Sequence, residues 1–276
     1  MAVEAALELS RALAVQESQA MRPRLLDWVF TIPFLIGFAA TLLVFDPFQR
    51  IARLFGQRPQ EYVAGALQVA LVWVFGLAGT KLKVDRSPLA SEGGSYLFIS
   101  NHQSLFDIPI FGAVLFSNFP KYVSKRELAN WIPSISYNLR RGGNALIDRG
   151  DRGQATEEIR ALGRQVCERG VSAVLYPEGT RARDGELAAF KPTGARALLE
   201  SAPGVPVVPV TIDGSWRLLR FNLMPVPFGT QIRMKIGEPI ERGPDEDPVA
   251  LLAAVRKEIE GNLESWRAGR DSCTSI

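Results

Sequence analysis

Two long apolar blocks dominate the first third of the chain. Residues 28–45, WVFTIPFLIGFAATLLVF, hold no charge, and residues 62–79 carry Gln68 as their one strong polar interruption. Each block approaches the roughly 20 apolar residues that cross a bilayer core. The pair predicts two helices, the first with Pro33 and Gly37 as places to kink. Between them, DPFQRIARLFGQRPQE sets Arg50, Arg53 and Arg58 among Phe48, Ile51, Leu54 and Phe55. That is the pattern of a basic amphipathic connector at a lipid headgroup surface. Arg22, Arg24, Lys81 and Lys83 flank the pair at its other end. Cations at both ends give no clean positive-inside asymmetry for two full spans, and they suit a hairpin dipping into one leaflet. A buried soluble hairpin is the alternative. On the membrane reading the hairpin is a separable anchor, and deleting residues 1–80 should leave a soluble core.

From Leu82 onward the pattern changes. Residues 95–100 (SYLFIS), 121–124, 145–147, 171–176 (VSAVLY), 205–211 and 230–236 are short apolar runs that predict strands. Ala155, Ile159, Leu162 and Val166 recur at helical spacing with Gly170 as a stop, and Leu252, Val255, Ile259 and Leu263 mark a C-terminal amphipathic helix. Strands alternating with helices predict an α/β fold with a mixed, largely parallel sheet flanked by helices, preceded by the membrane-associated helical hairpin. The expected division is an amphipathic or disordered segment over residues 1–21, a membrane-anchoring two-helix region over 22–81, and a catalytic domain over 82–276.

Composition narrows the chemistry. A net charge of +3 and a pI near 9.0 fit an anionic surface or substrate without demanding one. No basic stripe interleaved with aromatics appears, so nucleic acid is not an expected partner. Cys167 and Cys273 form no CxxC or Cys/His cluster, which argues against a disulfide framework and suits a reducing cytoplasmic face. With one histidine in the chain, the usual Cys/His zinc sites are excluded.

That histidine, His102, opens the first candidate site, NHQSLFD, directly after the predicted strand ending at Ser100. Asp107 follows five residues later. On one continuous helix the two side chains would point roughly 140° apart. With His102 in a turn and Asp107 in the first helical turn, the carboxylate reaches the imidazole, fixes its tautomer and stabilises the imidazolium. A plainer reading stands beside it: Ser104 to Asp107 matches a capping box, so Asp107 could simply hold a helix N-terminus. The second candidate is YPEGTRAR, again after an apolar strand. Gly179 permits a positive φ or close approach, and Arg181 offers a planar fork for phosphate. Glu178 either orients Arg181 or accepts from a substrate hydroxyl. In isolation the stretch is also compatible with a strand-ending turn and a solvated charge pair. Lys125 and Arg149 each follow a short apolar run. Clefts of α/β sheets open at the carboxyl ends of strands, so four strand ends could deliver His102, Lys125, Arg149 and Arg181 to one place.

These residues resemble the lysophosphatidic acid acyltransferase (1-acylglycerol-3-phosphate acyltransferase) family. NHQSLFD is similar to its His-x4-Asp block, KRELANWIP followed by GGNALIDR to its second block, YPEGTRARDGELAAFKPTGA to its Glu-Gly-Thr-Arg block with the downstream lysine, and VPVVPVTIDG to its fourth. All four stand in the family's order over roughly residues 95 to 215, which makes accidental agreement improbable. The resemblance implies His102 as general base with Asp107 as its partner. It implies that Glu178, Gly179, Thr180 and Arg181 bind the glycerol-phosphate end, with Lys125 and Arg149 as further phosphate ligands. It also implies an N-terminal helical pair docked on the membrane. Ser136 stands where a glycine is frequent, and Ala182 where a serine is frequent.

The implied reaction transfers a fatty acyl group from an acyl thioester, acyl-CoA or acyl-carrier protein, to the sn-2 hydroxyl of 1-acylglycerol 3-phosphate. A free imidazole, which titrates at about 6.5, is mostly neutral near pH 7 and suited to take that hydroxyl's proton. The thioester is already activated, so no cofactor or metal is expected, and Ser104 and Cys167 are not expected nucleophiles. The expected location is a membrane, on its cytoplasmic face, the inner membrane in a bacterium. Glycerol 3-phosphate, another lysophospholipid or an amine-containing lipid are alternative acceptors. A lipid hydrolase is disfavoured by the missing GxSxG elbow, and a non-catalytic adaptor by the intact motifs.

Overall fold

The computed structural model describes residues 22–243 and 246–271. The expected segment 1–21 and Cys273 lie outside them. Seven strands form one sheet in the order β1-β7-β6-β2-β5-β3-β4. They are β1 (Lys81–Arg86), β2 (Leu97–Ser100), β3 (Pro120–Lys125), β4 (Ala145–Ile147), β5 (Ser172–Leu175), β6 (Val207–Asp213) and β7 (Gln231–Ile236). β6, β2, β5, β3 and β4 run parallel; β7 pairs antiparallel with β6 and parallel with β1. The largely parallel sheet and the expected strands are therefore present. β1 is the strand the sequence pattern hides. KLKVDR alternates at a sheet edge and is mostly exposed, so it lacks the continuous apolar run of a doubly covered strand. The boundary expected at residue 81/82 cuts through it.

The central strands are buried on both faces. Along β2 and β5, Phe98, Val174 and Tyr176 enter one core, while Leu97, Ile99, Ala173 and Leu175 enter the other, as the period of two requires. The second core is closed by α5 (Arg152–Arg169), α6 (Pro192–Ser201) and α7 (Pro248–Asp271), through Ile159, Leu162, Val166, Leu198, Val255 and Ile259. The first core is closed by α1 (Leu25–Leu54), α2 (Gln57–Phe75) and α3 (Asp107–Val114), through Phe34, Phe75, Phe106 and Phe111. Between β3 and β4 lies the short helix α4 (Ile135–Arg141).

The hairpin departs from the expected form in two respects. The connector is helical on both sides of Phe55 and Gly56: α1 continues through Pro47 to Leu54, and α2 begins at Gln57. Its arginines are tied back to protein. Arg50 pairs with Asp46 at 2.7 Å, Arg53 donates to the Arg141 carbonyl, and Arg58 donates to the Arg169 carbonyl. Nor is the hairpin separable. Phe34 stacks edge-on against Phe106, Thr31 Oγ1 accepts from the Val226 amide, and Asp27 Oδ1 accepts from the Phe228 amide. A soluble core left after deleting residues 1–80 is therefore not expected, because that deletion removes one wall of the first core. Gly37 serves close approach: a Cβ there would meet Leu77 Cδ1 at 3.0 Å, so its absence lets α1 lie tight on the second apolar block.

One face of α1 remains uncovered. Leu25, Val29, Ile32, Ile36, Leu43, Ile51 and Leu54 are all more than half exposed. α1 and the segment Gln57–Ala78 are each long and apolar enough to cross a membrane.

Candidate active site

The parallel order β6-β2-β5-β3-β4 puts the carboxyl ends of these strands on one sheet edge. His102 follows β2, Lys125 ends β3, Arg149 follows β4 and the Glu178–Arg181 turn follows β5, so the topology puts these four strand ends on one sheet edge.

His102 lies in the turn before α3, and Asp107 is the first residue of that helix. His102 Nδ1 stands 2.8 Å from Asp107 Oδ2. The same oxygen accepts the backbone N–H groups of Gln103 (2.7 Å) and Ser104 (2.9 Å), while Oδ1 accepts the Ser215 hydroxyl at 2.5 Å. Those donors define Asp107 as an acceptor, so Nδ1 carries the proton and Nε2 is the free basic nitrogen. The two readings of this motif are thus both right. Asp107 closes the turn at the helix start, and that closure aims its carboxylate at the imidazole. Asp107 is fully buried, and the His102 side chain keeps 16% of its surface open. Underneath, the His102 ring stacks on Tyr176 with centroids 4.1 Å apart and planes 16° apart. Burial pushes the Tyr176 phenol well above its ordinary range and keeps it neutral.

Glu178 does different work from that expected. It is buried, with Oε1 accepting from the His102 amide at 2.6 Å and Oε2 from the Ala188 amide at 3.0 Å. Both oxygens accept from backbone, so Glu178 positions the histidine and the following loop. Burial pushes its carboxyl pKa up against the two amides that hold the anion. Gly179 takes φ +68°, and its amide closes the turn onto the Tyr176 carbonyl. A Cβ there would sit 3.4 Å from Lys191 Nζ. Thr180 is exposed.

Arg181 is half-buried beside two other cations. Burial, then Arg183 and Arg149, push its guanidinium below the usual pKa, while Asp107 opposes them. Arg149 is exposed at the mouth, and Lys125 is exposed at the end of β3. The structure thus gathers His102, Asp107, Glu178, Arg181 and Arg149. It adds Arg183 and Ser215, which the sequence reading did not single out, and brings in Lys191, the downstream lysine of the Glu-Gly-Thr-Arg block, while Lys125 is not among the groups that bear on Arg181. Arg183 had a signal in the RAR triplet and Lys191 in the FKPTGA stretch. Ser215 had none, since it lies 108 positions from the carboxylate it touches. The two departures from the resemblance are structural. The Ala182 amide donates to the His102 carbonyl, and Ser136 Oγ accepts from the Ile132 amide while donating to the Leu128 carbonyl.

The model of the acyltransferase family matches residues 81–213, the stretch that contains this edge. The 1-acyl-sn-glycerol-3-phosphate acyltransferase of Salmonella typhimurium is 32% identical over 177 residues, covering 63% of this chain and 69% of the relative. The Escherichia coli protein of the same name is 29% identical over 201 residues, 71% of this chain and 76% of the relative. Among solved structures, the 1-acyl-sn-glycerophosphate acyltransferase of Thermotoga maritima shares the fold. Its TM-score is 0.68 at 22% identity, covering 87% of this chain and 95% of that one. On the Salmonella relative above all, this chain belongs to the acyltransferase family that includes the 1-acyl-sn-glycerol-3-phosphate acyltransferases.

Proposed function

We propose that this enzyme moves a fatty acyl group from an acyl thioester to the sn-2 hydroxyl of 1-acylglycerol 3-phosphate, yielding phosphatidic acid for phospholipid synthesis. One observation carries the reading. A buried carboxylate aims the free Nε2 of His102 into the same edge where Arg181 lies crowded by Arg149 and Arg183. Crowded, partly desolvated guanidinium groups favour a dianionic phosphate, and a planar fork takes it bidentately. Nε2 accepts the acceptor hydroxyl's proton as its oxygen attacks the thioester carbonyl. The tetrahedral intermediate then expels the thiolate, which takes the proton back from the imidazolium. Asp107 keeps the ring oriented and offsets its charge while the proton is held. Glu178 fixes the backbone from which the ring hangs.

The uncovered face of α1 supports membrane docking on one leaflet, on the cytoplasmic side in this reading. The helix is 30 residues long, about 45 Å. It touches the α/β body from Asp27 near its start to Arg53 near its end. A helix crossing the bilayer would carry one end away from that body, whereas a helix lying in the interface keeps both. Acceptor and product are bilayer lipids, so the placement suits the substrate.

The test is thiol release by the purified chain, with acyl-CoA and acyl-carrier protein each offered against a panel of acceptors. The panel comprises 1-acylglycerol 3-phosphate, glycerol 3-phosphate, lysophosphatidylcholine and an amine-bearing lysolipid. Preference for the first is expected. In a folded His102→Ala variant, turnover should fall at least about 10²-fold, the lower end for removing a general base, with lipid binding retained. Near-normal turnover would remove His102 from the chemistry, and fatty acid released without acceptor consumption would mean hydrolysis.

A further inference from the structure

Trp131 is 98% exposed, the most exposed large hydrophobic side chain among the described residues. It also holds φ +69°, a left-handed conformation that is a genuine outlier for a bulky residue. Three residues on, Ser134 holds φ +60°. The loop that carries them is not loose. The Ser134 amide donates to Asp46 Oδ1 at 2.7 Å, its hydroxyl donates to the Leu42 carbonyl at 2.6 Å, and Gln49 donates to its carbonyl. Ile132 packs against the hairpin cluster of Leu42, Leu67 and Leu71. Ser136 bridges the Ile132 amide and the Leu128 carbonyl, and Arg140 holds the Ala129 carbonyl. The loop is therefore clamped to the C-terminal half of α1 with a tryptophan held out of the protein at its tip, beside the 46%-exposed Leu128. Strained backbone that persists under so many restraints marks a functional position.

We infer that the 126–134 loop is a second membrane-insertion element, with Trp131 seated at the headgroup level of an anionic leaflet. The occupant follows from continuity and charge. Loop and α1 are joined at Leu42, Asp46 and Gln49, next to the apolar side chains Leu43, Val44, Phe48 and Ile51 that α1 leaves uncovered. Arg126 in the loop and the nearby Arg141 are exposed cations; Arg50 is exposed too, paired with Asp46, and Glu127 is the one acid of the loop. Tryptophan beside exposed arginines is the pattern of an interfacial anchor. The loop begins at Lys125, at the carboxyl edge of the sheet. Seating Trp131 in the leaflet would therefore hold the site's mouth at the depth where a lipid phosphate lies. This inference rests on the membrane-docking reading above.

The test uses the full chain and its Trp131→Ser and Trp131→Tyr variants. Probes are vesicles of phosphatidylcholine with phosphatidylglycerol, and 1-acylglycerol 3-phosphate presented either in those vesicles or as a short-chain monomer in solution. Trp131→Ser should bind vesicles at least about threefold more weakly, the loss of part of a buried aromatic's transfer free energy. Turnover on vesicle-borne acceptor should fall in step, with turnover on the dissolved acceptor unchanged. Trp131→Tyr, another interfacial aromatic, should restore most of both. Equal loss on both acceptors would overturn the inference, because Trp131 would then serve the site or the fold. So would unchanged vesicle binding by Trp131→Ser when the parent binds. Should the parent itself ignore the vesicles, the docking reading falls and this inference with it.

Discussion

Ser215 gives its hydroxyl to Asp107 Oδ1 at 2.5 Å inside a site where neither group sees solvent. A hydrogen bond to a buried charge is worth about 1.5–3 kcal/mol, so Ser215→Ala should lower kcat by roughly tenfold or more while the fold survives. The split between kcat and KM separates positioning from packing. Without this donor the carboxylate is held by fewer contacts and aims the imidazole less well, so kcat should fall while the acceptor's KM stays nearly unchanged. The neighbours that also bear on this pair, Tyr176, Glu178 and Arg181, are left unchanged by the substitution. Ser215→Cys, of similar size and a weaker donor, should fall between. An unchanged kcat in a folded Ser215→Ala variant would reduce Ser215 to a packing residue. At this scale the sequence was readable where partners are close along the chain, as with His102 and Asp107. It was opaque where partners are distant. The positioning role of Glu178 was hidden because nothing local reveals that its oxygens accept from the amides of His102 and Ala188.

The elements show the same division between local and distant causes. Apolar runs disclosed the central strands, since burial on both faces leaves a continuous signal, and β1 escaped because one edge strand carries Lys81, Lys83, Asp85 and Arg86. The sequence did not disclose that two of the connector's arginines, Arg53 and Arg58, donate to carbonyls of the α/β body. One of them joins a buried cluster that pins α2 to the body. Glu61 is 5% exposed and pairs with Lys121 at 2.8 Å, Arg169 at 2.7 Å and Arg58 at 3.3 Å. Burial lowers the Lys121 pKa from its usual 10.5 to about 8; Glu61 opposes the shift, and Arg169 and Arg58 add to it. The sign follows. Between about pH 8 and 10.5 the unfolded chain binds this proton and the folded chain does not, so this lysine contributes stability that rises with pH over that window. Lys121→Met should therefore be tolerated within about 1 kcal/mol or better at pH 7, and it should flatten that rise, because Glu61 keeps its two arginines. Glu61→Gln leaves three cations facing one another and should cost about 3–5 kcal/mol. Chemical denaturation of both variants at pH 7 and pH 9.5 checks the pair. A Lys121→Met loss as large as that of Glu61→Gln would mean the lysine is the keystone.

For the molecule as a whole, the sequence suggested a catalytic body with an anchor attached, and the structure replaces that picture with one body in which the helix carrying the uncovered apolar face is also a core wall. α1 presents Leu25, Ile32 and Ile36 outward and buries Phe34 against Phe75 and Phe106, which precedes the catalytic carboxylate by one residue. Length and hydropathy reported both faces as one apolar block, because a helix that is core on one side and apolar but uncovered on the other has no polar stripe to betray its orientation. The two roles can be separated by experiment. Deleting residues 1–80 should expose Phe106, Ile110, Phe111 and Tyr122, and the remaining chain should aggregate and lose turnover even on a dissolved short-chain acceptor. A triple Leu25→Ser, Ile32→Ser and Ile36→Ser variant alters exposed positions alone, where substitutions usually change stability by less than about 0.5 kcal/mol each. It should keep its melting temperature and its turnover on the dissolved acceptor, yet leave vesicles and lose turnover on acceptor held in them. Recovery of a soluble, active 81–276 fragment would restore the detachable anchor. Equal collapse of both variants would mean that the outward face, too, is covered by protein.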